Sequence, residues 1–408
     1  MNEIRIEFAS AITCIPADEW NALMADKLGG VNPFTRHEYL AALEASNCVC
    51  SKTGWTPMHL MVLQGDRRLA VMPLYAKTHS YGEYVFDWAW AEAYERNNIE
   101  YYPKLLSAIP FTPVAGSRVG ICTTLSVNET DSVWSAMVSK LSILIKRDGY
   151  SSWHCLFLPQ CESTQFSNKG ALARIGTQFH WKNHHYQSFD GFLASMHSRK
   201  RKTIRKERER IAQLGLNIRF INAKEVTQAQ WQAFYQCYQM TYAKRSGHYG
   251  YLNLAFFKAI ALSMPEQIML LVVEANDIDS INVEESEGKN RENPLTRIIA
   301  SALYFQSNTH LYGRYWGALE RVEGLHFEVC YYQGIEYCIK QGLDTFDAGA
   351  QGEHKVPRGF EPIEIYSNHE IAHPAFRDAI DSFTLQECAQ VRRYIQEMSK
   401  VLPFKSEG

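Results

Sequence analysis

The chain is expected to be a mixed α/β protein of more than one domain, and three observations predict this. Its 408 residues exceed what one small core organises. Short apolar runs bounded by turn residues alternate with capped, helix-periodic stretches. The segment 312–362 runs helix, short strand and glycine-rich loop, which is where α/β proteins usually place a site.

Composition narrows the function classes. Hydrophobic residues make up 46% and charged residues 21%, as in a soluble globular protein. The formal net charge is −2, so no global field attracts nucleic acid, and no DNA partner is expected. No run approaches the roughly 18 consecutive apolar residues that span a bilayer. The first ten residues, MNEIRIEFAS, carry acids and no apolar core, so they do not read as a secretory signal. Ten scattered cysteines without a CxxC suggest free thiols in a reducing cytoplasm. Aromatics reach 12%, which fits either an aromatic core or an aromatic-lined cleft.

In chain order, Thr35 and Glu38 form a capping-box pattern, so a helix should start near Arg36. Met58–Leu63 and Leu69–Tyr75, joined by Gln64-Gly65-Asp66-Arg67, read as a β-hairpin. Gly82 to Trp90 is rich in aromatics, with two carboxylates among them. Tyr101-Tyr102-Pro103-Lys104 and Ile109 to Val114 carry prolines that point to ordered loops or edges. Asp131–Arg147 is an amphipathic helix and Trp153–Leu158 a strand. His180 and His184 are four apart, but on a strand that separates them by about 13 Å, so metal is not expected.

Ser198–Gly215 is the one strong charge run. Eight basic residues and two acids lie between Arg199 and Arg210, with Ile204, Ile211 and Leu214 as a thin apolar stripe. It reads as an exposed helix, either a solvated face or a phosphate-binding surface. Glu225–Arg245 is helix, Met269–Glu274 strand, 277–294 a hydrophilic insertion, and Ile298–Phe305 with Leu311–Trp316 a strand pair. Leu325–Lys340 is a helix with Glu328, Tyr332, Ile335 and Ile339 along one face and Gly342 as its C-cap. Asp344–Ala348 is a strand, and a last helix lies near Leu385–Leu402.

Several of these blocks carry a resemblance: Gly313-Arg314-Tyr315-Trp316-Gly317, Leu325-His326-Phe327-Glu328, Cys330-Tyr331-Tyr332-Gln333 and Gly349 to Lys355. With Gly82–Trp88, Tyr101–Lys104, Pro110–Val114 and the basic helix, they resemble the FemAB-like predicted N-acyltransferases of the GNAT superfamily, over nearly the whole chain. The resemblance implies two tandem GNAT-like domains, placed at 1–188 and 189–375, followed by a helical segment at 376–408. It implies an amide-forming transferase in peptidoglycan-related metabolism, cytoplasmic, with acyl-CoA as donor and no tightly bound cofactor or metal. The GNAT pyrophosphate signature is matched only in part at Arg321–His326, so Arg321 and Gly324, with Arg201 and Arg205, are the residues expected at a nucleotide. An aminoacyl-tRNA donor and a non-catalytic module recognising a peptidoglycan-like or amino-acid ligand stand as alternatives.

Acyl transfer to an amine requires a base and a stabilised oxyanion. Glu328 is one candidate base; its alternative role is a buried carboxylate holding Arg314. His354, beside Glu353, is the other, with Lys355 or Arg358 placing a phosphate or carboxylate. Cys330 is a weaker candidate nucleophile, read more readily as core. The substrate-binding set is Tyr84, Asp87, Trp88, Tyr102, Lys104, Arg314, Trp316, His326, Tyr331, Tyr332, Gln333, Gln351, Lys355 and Arg358, all expected to line one cleft.

Overall fold

The structure, a computed structural model, describes residues 3–25, 30–85, 87–276, 296–350 and 352–405. The insertion expected at 277–294, Phe86 and Gln351 lie outside them. Two compact units emerge, Met1–Gln178 with Pro362–Lys400, and Phe179–Glu361 with Val401–Gly408. The expected divisions at 188 and 375 differ from these. The chain passes between units inside two strands, Leu172–Lys182 and Phe360–Ile371, which local patterns cannot mark as boundaries. The closing helix is longer than expected, Pro374–Lys400, and is part of unit 1. Its Phe376 stacks on Tyr94 at 4.0 Å and its Glu387 pairs with Arg174 at 2.6 Å.

Unit 1 holds an antiparallel sheet in the order Ile4–Ala9, His59–Gln64, Arg67–Met72, Gly120–Ile121. The expected hairpin is its centre. A second run of strands goes Trp55–Pro57, Tyr75–Lys77, Lys104–Ser107, Ser152–Leu158, Phe360–Ile371, with Lys104–Ser107 and Ser152–Leu158 parallel. The helix Val127–Arg147 begins four residues before the expected start, because Ser126 and Glu129 close a capping box. It lays Val133, Met137, Leu141 and Leu144 on Leu60, Val62, Leu105 and Trp153. Those positions recur every three to four residues, so one stripe of the helix covers the sheet.

Two local expectations are corrected. The Thr35–Glu38 capping box does not form. Thr35 Oγ1 donates to the Asn32 carbonyl and Glu38 takes Arg36 at 2.8 Å, so the helix His37–Ala45 starts without it. Lys104–Ser107 is paired on both sides and so is interior rather than edge or loop. Pro103 lacks only its own N–H and sits one residue before the first paired position.

Unit 2 is built on an antiparallel meander, Asn217–Asn222, Ile268–Asn276, Thr296–Gln306 and His310–Ala318. Thr345–Asp347 joins it parallel to His310–Ala318, and the end of Leu172–Lys182 pairs beyond that. A parallel neighbour needs a crossover, and helix 325–341 supplies it. The helix Gln228–Ser246 packs so closely on His310–Ala318 that a Cβ on Gly317 would lie 1.9 Å from the Cys237 carbonyl oxygen. Only glycine fits there.

Among the register slips of the described strands, one in each unit leaves out a residue with positive φ. In unit 2 the register slips between Ala302 and Leu303, leaving Tyr315 out with φ 54°. In unit 1 it slips between Tyr366 and Ser367, leaving Phe157 out with φ 62°. Such bulges bend a strand and re-aim its side chains, often beside a site.

Candidate functional site

The expected site residues fall into two clusters, one in each unit. In unit 2 the crossover helix opens with Gly324, φ 84°, and after one α turn passes into a π turn, Glu328–Tyr332. There the Gln333 N–H reaches back five residues to the Glu328 carbonyl, and the Tyr304 hydroxyl donates to the Val329 carbonyl. A π turn inside an α-helix is rare and concentrates at functional sites. It presents Glu328, Tyr331 and Tyr332 from adjacent positions.

Glu328 is buried and accepts from Arg208 Nε and Nη2 (3.2 and 3.0 Å) and from Gln333 Nε2 (2.8 Å). Its partner is therefore Arg208, not Arg314. Arg314 grips Asp347 instead, Nη2 to Oδ2 at 2.6 Å, with the Gly349 N–H donating to Oδ1 at 2.9 Å. Burial alone would raise the Asp347 pKa, but Arg314 and then His180 override it and hold the carboxyl well below the usual range. His180 faces Asp347 at 3.7 Å, and burial brings it down to about 4, while His184 pairs with Glu361 at 3.0 Å.

The turn Glu353–Arg358 follows the strand Thr345–Asp347. His354 is on its exposed side and shares a hydrogen bond with the Tyr331 hydroxyl, 2.6 Å from Nε2. The same hydroxyl is 3.4 Å from His326 Nε2, so two imidazoles meet on one phenol. Burial brings His326 down to about 4, with His354, Arg245, Arg358 and Lys355 adding to the effect. Burial, then Lys355, Arg358 and Arg245, lowers His354 as well. Both rings are thus neutral at pH 7. Trp316 lies 5.6 Å from His326, and Glu353 is exposed at the start of the turn.

Lys355 is buried, donates to the Gly349 carbonyl, and burial brings its ammonium down to about 8. Arg358 lies 3.6 Å over the Phe327 ring and donates to Glu207, Tyr332 and the His354 carbonyl. Burial also pushes the Cys330 thiol well up, which leaves no thiolate there. Arg321 is exposed just before Gly324. On the basic helix Ser198–Ala212, Arg201 is half-buried and Arg205 pairs with Asp190 at 2.8 Å.

Unit 1 gathers the other block. Lys104, fully buried, donates to Ser80 Oγ and Glu83 Oε2, both at 2.8 Å, and to Asp87. Tyr101 donates to Asp87 Oδ2 at 2.6 Å and meets His154 at 3.2 Å; His154 and His369 meet through their Nδ1 atoms at 2.7 Å. Tyr102 bonds Ser80 at 2.8 Å. Lys77 sits 4.0 Å from Glu83 and 3.7 Å over the Trp55 ring. Burial brings Lys77 down to about 7 and Glu83 up to about 7, while Lys104 outweighs burial and holds Asp87 well below its usual range. Tyr84 occupies the turn before this block with φ 61°. Trp88, 41% exposed, opens the helix Trp88–Arg96 and lines a groove of about 830 Å³ with Glu92, Glu95, Glu100, Tyr101 and Tyr102.

Sequence reasoning missed Glu207, Arg208, Asp347, Lys77, His154 and His369. A signal for the first two was present. Glu207 and Arg208 share the helical face of Ile204 and Ile211, so they point inward with that stripe. Among the described residues no helix is long and apolar enough to cross a membrane.

A family model described as peptidoglycan biosynthesis/recognition, FemAB-like, matches residues 11–406. No curated protein matches the sequence. Among solved structures the chain is similar to FemX, at 12% identity over 90% of this chain and 98% of that one, with a TM-score of 0.52. It is also similar to a tandem GNAT protein from the clavulanic acid biosynthesis pathway, at 9% identity, 91% and 99% coverage and a TM-score of 0.44. A third is the C-terminal domain of a putative lysylphosphatidylglycerol synthetase from Agrobacterium fabrum, at 10% identity, 92% and 96% coverage and 0.49. The likeness to FemX and the family match give the fold, a mixed α/β architecture shared with FemX over nearly the whole chain.

Proposed function

This chain belongs to the FemAB-like family, and from that premise we propose that it is a cytoplasmic N-acyltransferase joining an activated acyl group to an amine in peptidoglycan-related metabolism. The observation that carries the reading is the His354–Tyr331–His326 arrangement at the π turn, surrounded by Arg245, Lys355 and Arg358. A neutral imidazole is what an incoming ammonium needs as proton acceptor. With its own proton on Nε2 and given to the Tyr331 oxygen, His354 keeps the Nδ1 lone pair for that task. The surrounding cations favour the negative charge that develops on the tetrahedral oxygen. Glu328 in this reading anchors Arg208; both its oxygens are already engaged.

Acyl-CoA is the proposed donor, with its pyrophosphate at the helix start near Arg321 and Gly324. Aminoacyl-tRNA is the second reading. The observation favouring it is the outer face of the basic helix, where Arg199, Lys202, Lys206 and Arg210 are exposed while Glu207 and Arg208 hold the inner face to the site. Calorimetric titration with acetyl-CoA and a longer acyl-CoA tests the first. Micromolar binding that weakens in Arg321→Ala supports a CoA-dependent enzyme. No CoA binding, with salt-sensitive tRNA binding that fades when Lys202, Lys206 and Arg210 are neutralised, supports the second. A protein that binds a peptidoglycan fragment but turns over neither donor is a recognition module, and the enzyme reading then fails.

A further inference from the structure

We propose that Arg358, locked in place by Glu207 of the basic helix, is a positioning residue for His354; this rests on the reading of His354 as the proton acceptor. The geometry is specific. Arg358 is buried and engages through all three guanidinium nitrogens. Nη1 donates to the His354 carbonyl at 2.8 Å, Nε to the Tyr332 hydroxyl at 2.9 Å, and Nη2 to both Glu207 oxygens at 3.0 Å. The Tyr332 hydroxyl closes the ring by donating to Glu207, and the Phe327 ring lies flat against the guanidinium carbon at 3.6 Å.

The consequence follows from where His354 sits. It is on the exposed side of a short turn, and among the described residues its side chain hydrogen-bonds Tyr331. A turn of six residues has few internal bonds, among them Lys355 N–H to the Gly352 carbonyl and Gly359 N–H to the Val356 carbonyl, so grips from outside add to what fixes its backbone. Arg358 ties that backbone at once to the π turn, through Tyr332, and to the basic helix, through Glu207. A planar fork holds its donors in one fixed plane and so sets the relative placement of three partners, which an ammonium with freely rotating donors on a flexible stem does not. The basic helix thus serves the site from its inner face, independently of what its outer face binds.

Arg358 also acts on His354 as a charge, together with Lys355 of the same turn and Arg245 at the end of Gln228–Ser246, while His326 and Tyr331 of the crossover helix face it as uncharged rings. Charge and grip separate experimentally. Carbon-13 relaxation and pH titration of the His354 ring by NMR read both without any substrate. In Arg358→Gln the titration midpoint should rise, as a neighbouring cation is lost. In Arg358→Lys and Glu207→Gln a cation remains, so the midpoint should move far less. In both, the ring order parameter should drop clearly below its value in the unmodified protein. A His354 ring that stays rigid in Arg358→Lys and Glu207→Gln overturns the proposal, whatever happens to transfer. Acyl transfer that survives His354→Gln instead overturns the proton-acceptor reading, even with the ring loosened. Should Arg358→Gln fail to fold, the two conservative variants carry the test.

Discussion

Replacing Lys104 with methionine should cost unit 1 about 3–5 kcal/mol, and the number follows from its surroundings. The Lys104 ammonium has no exposure and gives hydrogen bonds to Glu83, Asp87 and Ser80. Methionine conserves most of the volume, so the cavity contribution is small. What remains is the charge left behind. Among the described residues Asp87 loses its ion-pair partner, and Glu83 keeps Lys77 at 4.0 Å. Breaking a buried pair on one side typically costs about 3–5 kcal/mol, because the surviving ion is neither solvated nor compensated. Lys77→Met is the internal control. Burial has already brought that ammonium down to about 7, so at pH 7.5 little charge is removed and the cost should stay below about 1.5 kcal/mol. Asp87→Asn added to Lys104→Met should recover a large part of the loss. Urea unfolding at pH 7.5, with m compared across variants, measures all three. A Lys104→Met variant within 1 kcal/mol of wild type, or a Lys77→Met variant as damaging, would refute the reasoning.

Three further outcomes are expected. Burial raises Glu162 to about 7 from an ordinary 4.5, so its contribution to stability is full below pH 4.5 and is lost as pH rises through 7. Glu162→Gln should flatten that part of the stability profile and gain about 3 kcal/mol at pH 8, read from urea midpoints. Arg208→Met strands the Glu328 carboxylate and should cost about 1–3 kcal/mol, with faster amide exchange across Ser198–Ala212 than in the rest of unit 2. Gly352→Ala should disable transfer while leaving the fold, since its Cβ would lie 2.0 Å from His354 Cε1 at a φ of 113°; an active, stable variant would place His354 elsewhere.

Elements with their own local signal were legible. The hairpin at residues 59–72, the Gly342 C-cap with φ 68°, and the helices near 127–147 and 228–246 all depend on turn chemistry, caps and 3.6 periodicity within one segment. The concentration of polar chemistry between Tyr312 and Pro362 was legible for the same reason. The π turn was not, because nothing in Glu328–Tyr332 marks the wider pitch. It is stabilised from outside the segment, where Tyr304 takes the freed Val329 carbonyl.

The sequence by itself determined that this is a mixed α/β protein and identified the family through its motif blocks, and it pointed to a candidate site after the strand near residue 347. Only tertiary structure decided who pairs with whom. Glu328 lies 120 positions from Arg208, and Arg358 lies 151 from Glu207. Charge pairing over such separations depends on which helix faces meet. The sequence lists the charges, whereas the three-dimensional packing decides which carboxylates are neutralised and which imidazoles are buried among cations.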